Sequence, residues 1–355
     1  MPSPDLPSPA PDPQPGKRVT IRDVAAVAGV HFTTVSLALR GSGQLPQATR
    51  ERIQKVAEEM GYRPDPMLAA LNVYRRAKRP PRYQATIAWI NNWPQREALH
   101  ANLGFREYYE GAKQRAEQIG YVLEEFWLRE PGMTPERLTA ILRARNIEAI
   151  LLAPQPGPRI FPALDFTNFA ALSFGYSLQP SIFHVVTNHH FHSMNLMLKR
   201  LMELGYRRIG FFGEQEWDEK VENSWIGGIA LARWKYPQLE EVPPLLEKKT
   251  RDKDLSKWLK QHRPDVVVSY SGAAKWLRSL GCDIPGKMGF ASLSTRKSEP
   301  EISGLYQNDW RIGQSAVDFI ISMLHSGERG IPPVPTNILV ESTWKPGQTL
   351  REQGS

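Results

Sequence analysis

Between Thr20 and Leu39 the chain has room for two short helices and nothing longer. Thr20-Ile-Arg-Asp23 reads as a capping-box start, with a hydroxyl accepting from first-turn amides and an acid at the positive helix end. Val24, Ala25, Val27 and Ala28 continue the helix, and Gly29 supplies the left-handed residue that stops it. Val30 reads as a buried plug. A second helix is expected from about Phe32 to Leu39, with Val35 and Leu39 facing inward and Gly41 and Gly43 breaking it. A third runs from about Gln47 to Met60. In it Ile53, Val56, Ala57 and Met60 form the i, i+3, i+4, i+7 stripe, and Gly61 ends it. Small residues at 25 and 29 let the first two helices approach closely. Two helices about a glycine-centred turn, with a third behind them, form a helix-turn-helix arrangement. The plain alternative is any small three-helix unit.

Charge separates these readings. Residues 17–82 hold thirteen Lys and Arg against five acids, a net +8 equal to that of the whole chain. The excess therefore sits in one small segment, as a polyanion-binding surface requires. Downstream, Asp65 can cap a short helix that begins at Pro66 and runs through Leu68 and Leu71 to Tyr74. Such a helix is marginal alone and would order only against a partner. The run Arg75, Arg76, Lys78, Arg79 and Arg82 reads as a basic linker. Ahead of all this, MPSPDLPSPAPDPQPG lacks the basic and apolar regions of a secretory signal and suits a disordered, Pro-rich tail. The lone cysteine, Cys282, forms no disulfide framework and fits a reducing cytoplasm.

The stretch VTIRDVAAVAGVHFTTVSLALRGSG, followed by ATRERIQKVAEEMGYRPD, resembles the DNA-binding head of the lactose-repressor (LacI/GalR) family of bacterial transcription regulators. The resemblance is ungapped up to Arg40. It implies an all-α helix-turn-helix head, a hinge helix and a ligand-binding core. It also implies a homodimer on a near-palindromic double-stranded operator. Carried onto this sequence, the DNA-contacting set is Thr20, Arg22, His31, Phe32, Thr33, Thr34, Ser36, Leu37, Arg40, Thr49, Arg50, Tyr62, Leu68 and Leu71. Four positions depart from the family pattern: His31 and Pro46 replace serines, Asp65 replaces an asparagine, and Leu37 replaces an arginine. Phe32 and Leu37 can touch thymine methyls, and Thr33 can bond base edges. Arg22, Arg40, Arg50, Arg52 and the linker arginines are expected on phosphates. Leu71 falls where the family's hinge leucine wedges into the minor groove. Its other reading is packing between two hinge helices.

From residue 83 onward, strand and helix patterns alternate, which implies parallel sheets covered by helices on both faces. GYRRIGFFG, IGQSAVDFI and LVESTWKPGQT continue the resemblance more weakly. They imply an α/β core of two Rossmann-like subdomains resembling a periplasmic binding protein. The expected organisation is a tail over 1–16, a head over 17–64, and a hinge helix and linker over 65–82. The core spans 83–345, followed by a tail over 346–355. Within the core the N-subdomain is expected over 83–188 and 308–330, and the C-subdomain over 189–307 and 331–345.

Ligands in such folds sit beyond the carboxyl ends of strands. That rule selects Asn91, Asn92, Trp93, Gln155, Tyr176, Asn223, Ser224, Trp225, Tyr270, Ser271, Ser292 and Asn308. The family's usual sugar-binding motifs are replaced here by Tyr270-Ser271-Gly272 and Gly289-Phe290-Ala291-Ser292, and no arginine precedes Gly227. Trp93, Tyr176, Trp217 and Trp225 could stack on a ring instead, or serve as core or interface residues.

No dinucleotide, P-loop or nucleophile-elbow motif occurs, so the expectation is a regulator without cofactor and not an enzyme. Asn188-His189-His190-Phe191-His192, with His184 nearby, is the best metal-like cluster, but no neighbouring Cys or acid completes it, and no metal is expected. The effector is expected to be small and carbohydrate-related. Two alternatives stand beside this: a constitutive DNA-binding regulator with an eroded cleft, and a cytoplasmic solute sensor acting through protein contacts.

Overall fold

The computed structural model describes residues 19–39, 45–62, 85–157, 162–178 and 180–353. The expected N-terminal tail, the hinge helix with Leu68 and Leu71, the basic linker and Arg40 lie outside the described residues. The chain divides into two compact units, a head and a core.

The head contains α1 (Ile21–Ala28), α2 (Phe32–Leu39) and α3 (Gln47–Glu59). The capping box at Thr20 and Asp23 is formed, and Gly29 closes α1 at φ 66°. Val24, Val35 and Ile53, each fully buried, meet at the centre with Ala25, Ala28, Ala38 and Ala57. Each of the three larger side chains contributes about 1.5–3 kcal/mol on burial. Ala38, rather than Leu39, takes the second fully buried position of α2; Leu39 packs at the margin. α3 also closes the other two helices. Arg52 Nη1 donates to the Ala28 carbonyl and Gln54 Nε2 to the Ala38 carbonyl, both at 2.9 Å. Arg52, expected on phosphate, thus satisfies an otherwise unpaired carbonyl at the end of α1.

The core holds two six-stranded sheets. The first comprises β1 (Ala85–Asn91), β2 (Tyr121–Trp127), β3 (Ala149–Leu152), β4 (Ala170–Phe174), β5 (His184–Asn188) and β11 (Asn337–Val340), in the order β11-β5-β4-β3-β1-β2. The second comprises β6 (Ile209–Glu214), β7 (Leu245–Glu247), β8 (Val266–Ser269), β9 (Gly289–Ser292), β10 (Gly304–Tyr306) and β12 (Thr343–Lys345), in the order β12-β10-β9-β8-β6-β7. Every pairing is parallel except β10 with β12. β3, β4, β5, β8 and β9 are buried along their whole length, as strands covered on both faces must be.

α4 (Ala98–Ala101) and α5 (Leu103–Gln118) precede β2, and α6 (Pro135–Ala144) precedes β3. The remaining helices are α7 (His190–Glu203), α8 (Gln215–Glu219), α9 (Ser224–Lys235), α10 (Asp252–His262), α11 (Ala273–Ser279) and α12 (Asp309–Ser326). α5 and α12 share one face of the first sheet, and α6 covers the other. α7 and α9 cover one face of the second sheet; α10 and α11 cover the opposite one. Glycine makes the closest approach possible: a Cβ on Gly313 of α12 would lie 2.1 Å from the Tyr108 carbonyl oxygen of α5.

Two boundaries differ from expectation. The segment 331–345, expected whole in the C-subdomain, is divided: β11 pairs in the first sheet and β12 in the second, so 337–340 leaves the C-subdomain. The backbone changes sheets between Val340 and Thr343. Residues 346–353 do not hang free. Thr349 is fully buried, its hydroxyl donating to Phe290 O, and Gln353 N bonds Leu204 O.

Candidate nucleic-acid face and effector cleft

On the head, burial of Val35 and Ala38 turns the other side of α2 outward. His31, Phe32 and Thr33 are exposed, while Thr34, Ser36 and Leu37 are half-buried. His31 occupies the position before α2 and caps it: its Nδ1 lies 2.8 Å from Thr33 Oγ1 and 3.5 Å from Thr33 N. The second distance is long, as suits a weak cap. The His31 ring leans on Phe32 at 4.3 Å, and the Arg22 guanidinium lies 5.9 Å from the same ring centroid. An apolar ring, an imidazole, a hydroxyl and a cation thus meet at the amino end of α2. Thr20 is exposed, but its hydroxyl is engaged with Asp23. Thr49, Arg50 and Tyr62 are half-buried on or just beyond α3.

In the core, β1 has β2 on one side and β3 on the other, and β6 has β7 and β8. Each sheet therefore has its topological switch point there, where a crevice opens beyond the strand ends. At the first sheet the expected ligand groups bond one another. Asn91 is fully buried, donating to Arg96 O at 2.9 Å and Glu125 Oε1 at 2.7 Å and accepting from Trp93 N. Asn92 Nδ2 donates to Gln155 Oε1 at 3.0 Å, and Gln155 Nε2 donates to Ala153 O. Trp93 Nε1 donates to Pro154 O at 2.8 Å. Tyr176 is half-buried; burial first, and then the Glu222 carboxylate, push its phenol above the ordinary range.

At the second sheet a cavity of 270 Å³ opens, lined by Phe212, Gly213, Glu214, Lys249, Thr250, Tyr270 and Trp276. Tyr270 is the only expected ligand residue in that lining. It meets Trp217 edge-on at 5.1 Å. The Thr250 hydroxyl oxygen is buried with no hydrogen-bond partner among the described residues. Ser271 is half-buried. Ser292 is fully buried, its hydroxyl accepting from Ser294 N. Asn223 is exposed in a left-handed conformation at the start of α9, followed by half-buried Ser224 and Trp225. Trp225 packs against Phe211 and His190 within the core. Glu214, Lys249, Thr250 and Trp276 were not singled out in the sequence. The strand-end rule points to Glu214, but the loop after the edge strand β7 carries no motif.

Asn308 belongs to neither half. Its Nδ2 donates to Glu341 O at 2.8 Å, joining two of the three segments that cross between subdomains. Asn188 Nδ2 faces Val340 O and Ser342 Oγ at 2.9 Å and Gln307 O at 3.3 Å, so one buried amide gathers all three crossings. Around them, Tyr306 Oη donates to Glu107 Oε2 and Arg296 pairs with buried Asp309.

A profile described as bacterial regulatory proteins, lacI family, matches residues 20–65, and one described as a periplasmic binding protein-like domain matches residues 198–350. The maltose regulon regulatory protein MalI of Escherichia coli (strain K12) is 50% identical over 46 residues, 13% of this chain and 14% of that protein. The HTH-type transcriptional regulator TreR of Salmonella typhimurium (strain LT2) is 25% identical over 207 residues, 55% of this chain and 57% of that protein. The chain thus covers less than two thirds of the length of either relative. The lac repressor dimer bound to operator and the anti-inducer ONPF has the same fold, with a TM-score of 0.53, 18% identity, and coverage of 94% of this chain and 100% of that one. The two profiles fall on the head and the core, in the order in which the elements occur: the chain carries a lacI-type regulatory head over residues 20–65 and a periplasmic binding protein-like domain over residues 198–350.

Proposed function

We propose that this protein is a cytoplasmic, homodimeric transcription regulator that binds a near-palindromic operator under the control of a small carbohydrate-related effector. The observation that carries the DNA-binding part is the amino end of α2, where His31, Phe32 and Thr33 stand exposed beside Arg22 on a unit closed by its own caps. Two such heads would enter successive major grooves, about 34–36 Å apart. The charge excess of 17–82 supports phosphate contacts by Arg22, Arg40, Arg50 and the linker. The named relatives are transcriptional regulators, in keeping with a protein that acts by binding rather than by catalysis. No helix among the described residues is long and apolar enough to cross a membrane.

The effector part rests on the second sheet. Tyr270, Trp276 and Phe212 offer ring faces, while Glu214, Lys249 and Thr250 offer hydrogen bonds. That combination suits a hydroxyl-rich ring. Tyr176, beyond a strand end of the first subdomain, lies close enough to the Glu222 carboxylate of the second for that charge to raise its phenol. Closing the halves on a ligand would alter how two copies present their heads.

The test is binding of the full chain to duplex DNA from the region upstream of its own gene, followed by fluorescence anisotropy over a salt series. Nanomolar binding that weakens steeply with salt is expected, with a log–log slope of about −0.9 per phosphate contact. Absence of binding at low salt would sink the reading. A second reading, a regulator whose cleft no longer takes an effector, is favoured by the bond between Asn92 and Gln155 and by the engagement of Asn91 with Arg96 O and Glu125. It predicts operator affinity unchanged by any sugar tested.

A further inference from the structure

The histidines at 189–192 have no acid at ligand spacing in the sequence, but the fold brings one. Glu341 lies in the crossing between β11 and β12, more than a hundred residues away. Its carboxylate and one ring nitrogen each of His189 and His192 all lie within 4.8 Å of one another. Among the described residues this is the one group of three potential metal ligands. His192 Nδ1 already meets Glu341 Oε2 at 2.8 Å, and the His189 and His192 rings lie 5.4 Å apart.

The backbones that carry these groups are fixed. His189 N donates to Val340 O at 2.9 Å, and Asn308 Nδ2 holds the Glu341 carbonyl at 2.8 Å. Asn188 and Ser342, the immediate neighbours, bond each other. Only side-chain rotation is then needed to close the group. Two imidazoles and a carboxylate select zinc, nickel or copper over magnesium or calcium. Three protein ligands leave a fourth position for water or an effector oxygen. Binding would replace two modest interactions. One is the 3.3 Å cap from His192 N to His189 Nδ1, and the other is the bond between His192 and Glu341.

We propose that His189, His192 and Glu341 form a binding site for a divalent transition-metal ion, placed across two of the three crossings between the subdomains. The ion would tie the start of α7 to the crossing that follows β11 and so stiffen the pivot of the core. The site does not depend on the DNA-binding reading, and its test makes no use of DNA.

Zinc chloride is titrated calorimetrically into the full chain, without a histidine tag, in a non-chelating buffer. One ion per chain with a roughly micromolar Kd is expected. His192→Ala and Glu341→Gln should each weaken it by about tenfold or more. His262→Ala should leave it unchanged. His192 and Glu341 are exposed, so both variants should match the wild type in circular dichroism and in metal-free Tm. Binding weaker than millimolar overturns the proposal and leaves an ordinary surface ion pair between His192 and Glu341. Binding that survives Glu341→Gln overturns it too, because the ion would then sit elsewhere.

Discussion

The two sheets of the core share a strand order, yet the carboxyl ends of their strands are used in opposite ways. Beyond β1 and β3, Asn91, Asn92, Gln155 and Trp93 spend their hydrogen-bonding groups on each other and on nearby backbone. Beyond β6, β7 and β8 a cavity stays open, with the Thr250 hydroxyl unpaired among the described residues. A shared scaffold therefore does not imply shared recognition. A strand end binds only if its polar groups have capacity left after the fold has been satisfied.

Four substitutions test that contrast, beginning with the most damaging. Gly313→Ala should destabilise the first half by about 3 kcal/mol or more in urea unfolding, because its Cβ would strike the Tyr108 carbonyl oxygen. A loss below about 1 kcal/mol would mean that α5 and α12 slide apart easily. Asn188→Ala strips the amide that serves Val340, Gln307 and Ser342, and should cost about 2–3 kcal/mol. It should also broaden the unfolding transition, as the halves uncouple.

Asn92→Ala should cost about 1–3 kcal/mol, leaving Gln155 Oε1 without its donor, and should not change the operator's response to an effector. A changed response would put the first sheet back into the binding site. Thr250→Val should behave in the opposite way. Stability should stay within about 1 kcal/mol of wild type, since a buried hydroxyl without a partner is lost. The response to any effector that acts on the parent should weaken. Equal responses in parent and variant would remove the cavity from the effector site.

Much of the head could be read from local chemistry. The capping box, the left-handed Gly29 and the stripe on α3 depend on residues within a few positions of one another, and each stands where that chemistry puts it. The long-range closures could not be read in this way. Arg52 looks like a phosphate ligand until α1 ends beside it, and Gln54 carries no signal at all. In the core, the alternation of strands and helices announces parallel sheets, but not where the chain changes sheets. The segment LVESTWK, expected within one subdomain, ends β11 in the first sheet and forms β12 in the second. The candidate site suffered most. The strand-end rule finds positions, whereas whether Asn92 faces a ligand or Gln155 depends on a partner 63 residues distant. Glu341 joined the histidines for the same reason: proximity there is made by the third crossing and by nothing in the local sequence.

The gathering of three crossings around Asn188 has a mechanical consequence. A joint made of three separate cords could shear, twist or stretch. One whose cords meet at a single buried amide favours tilting about that point over shear or stretch, which would break its bonds. Points beside it, such as His189 and Asn308, then barely travel, while strand ends far from it sweep through wide arcs for the same small angle. A small tilt about Asn188 would therefore be magnified with distance from it.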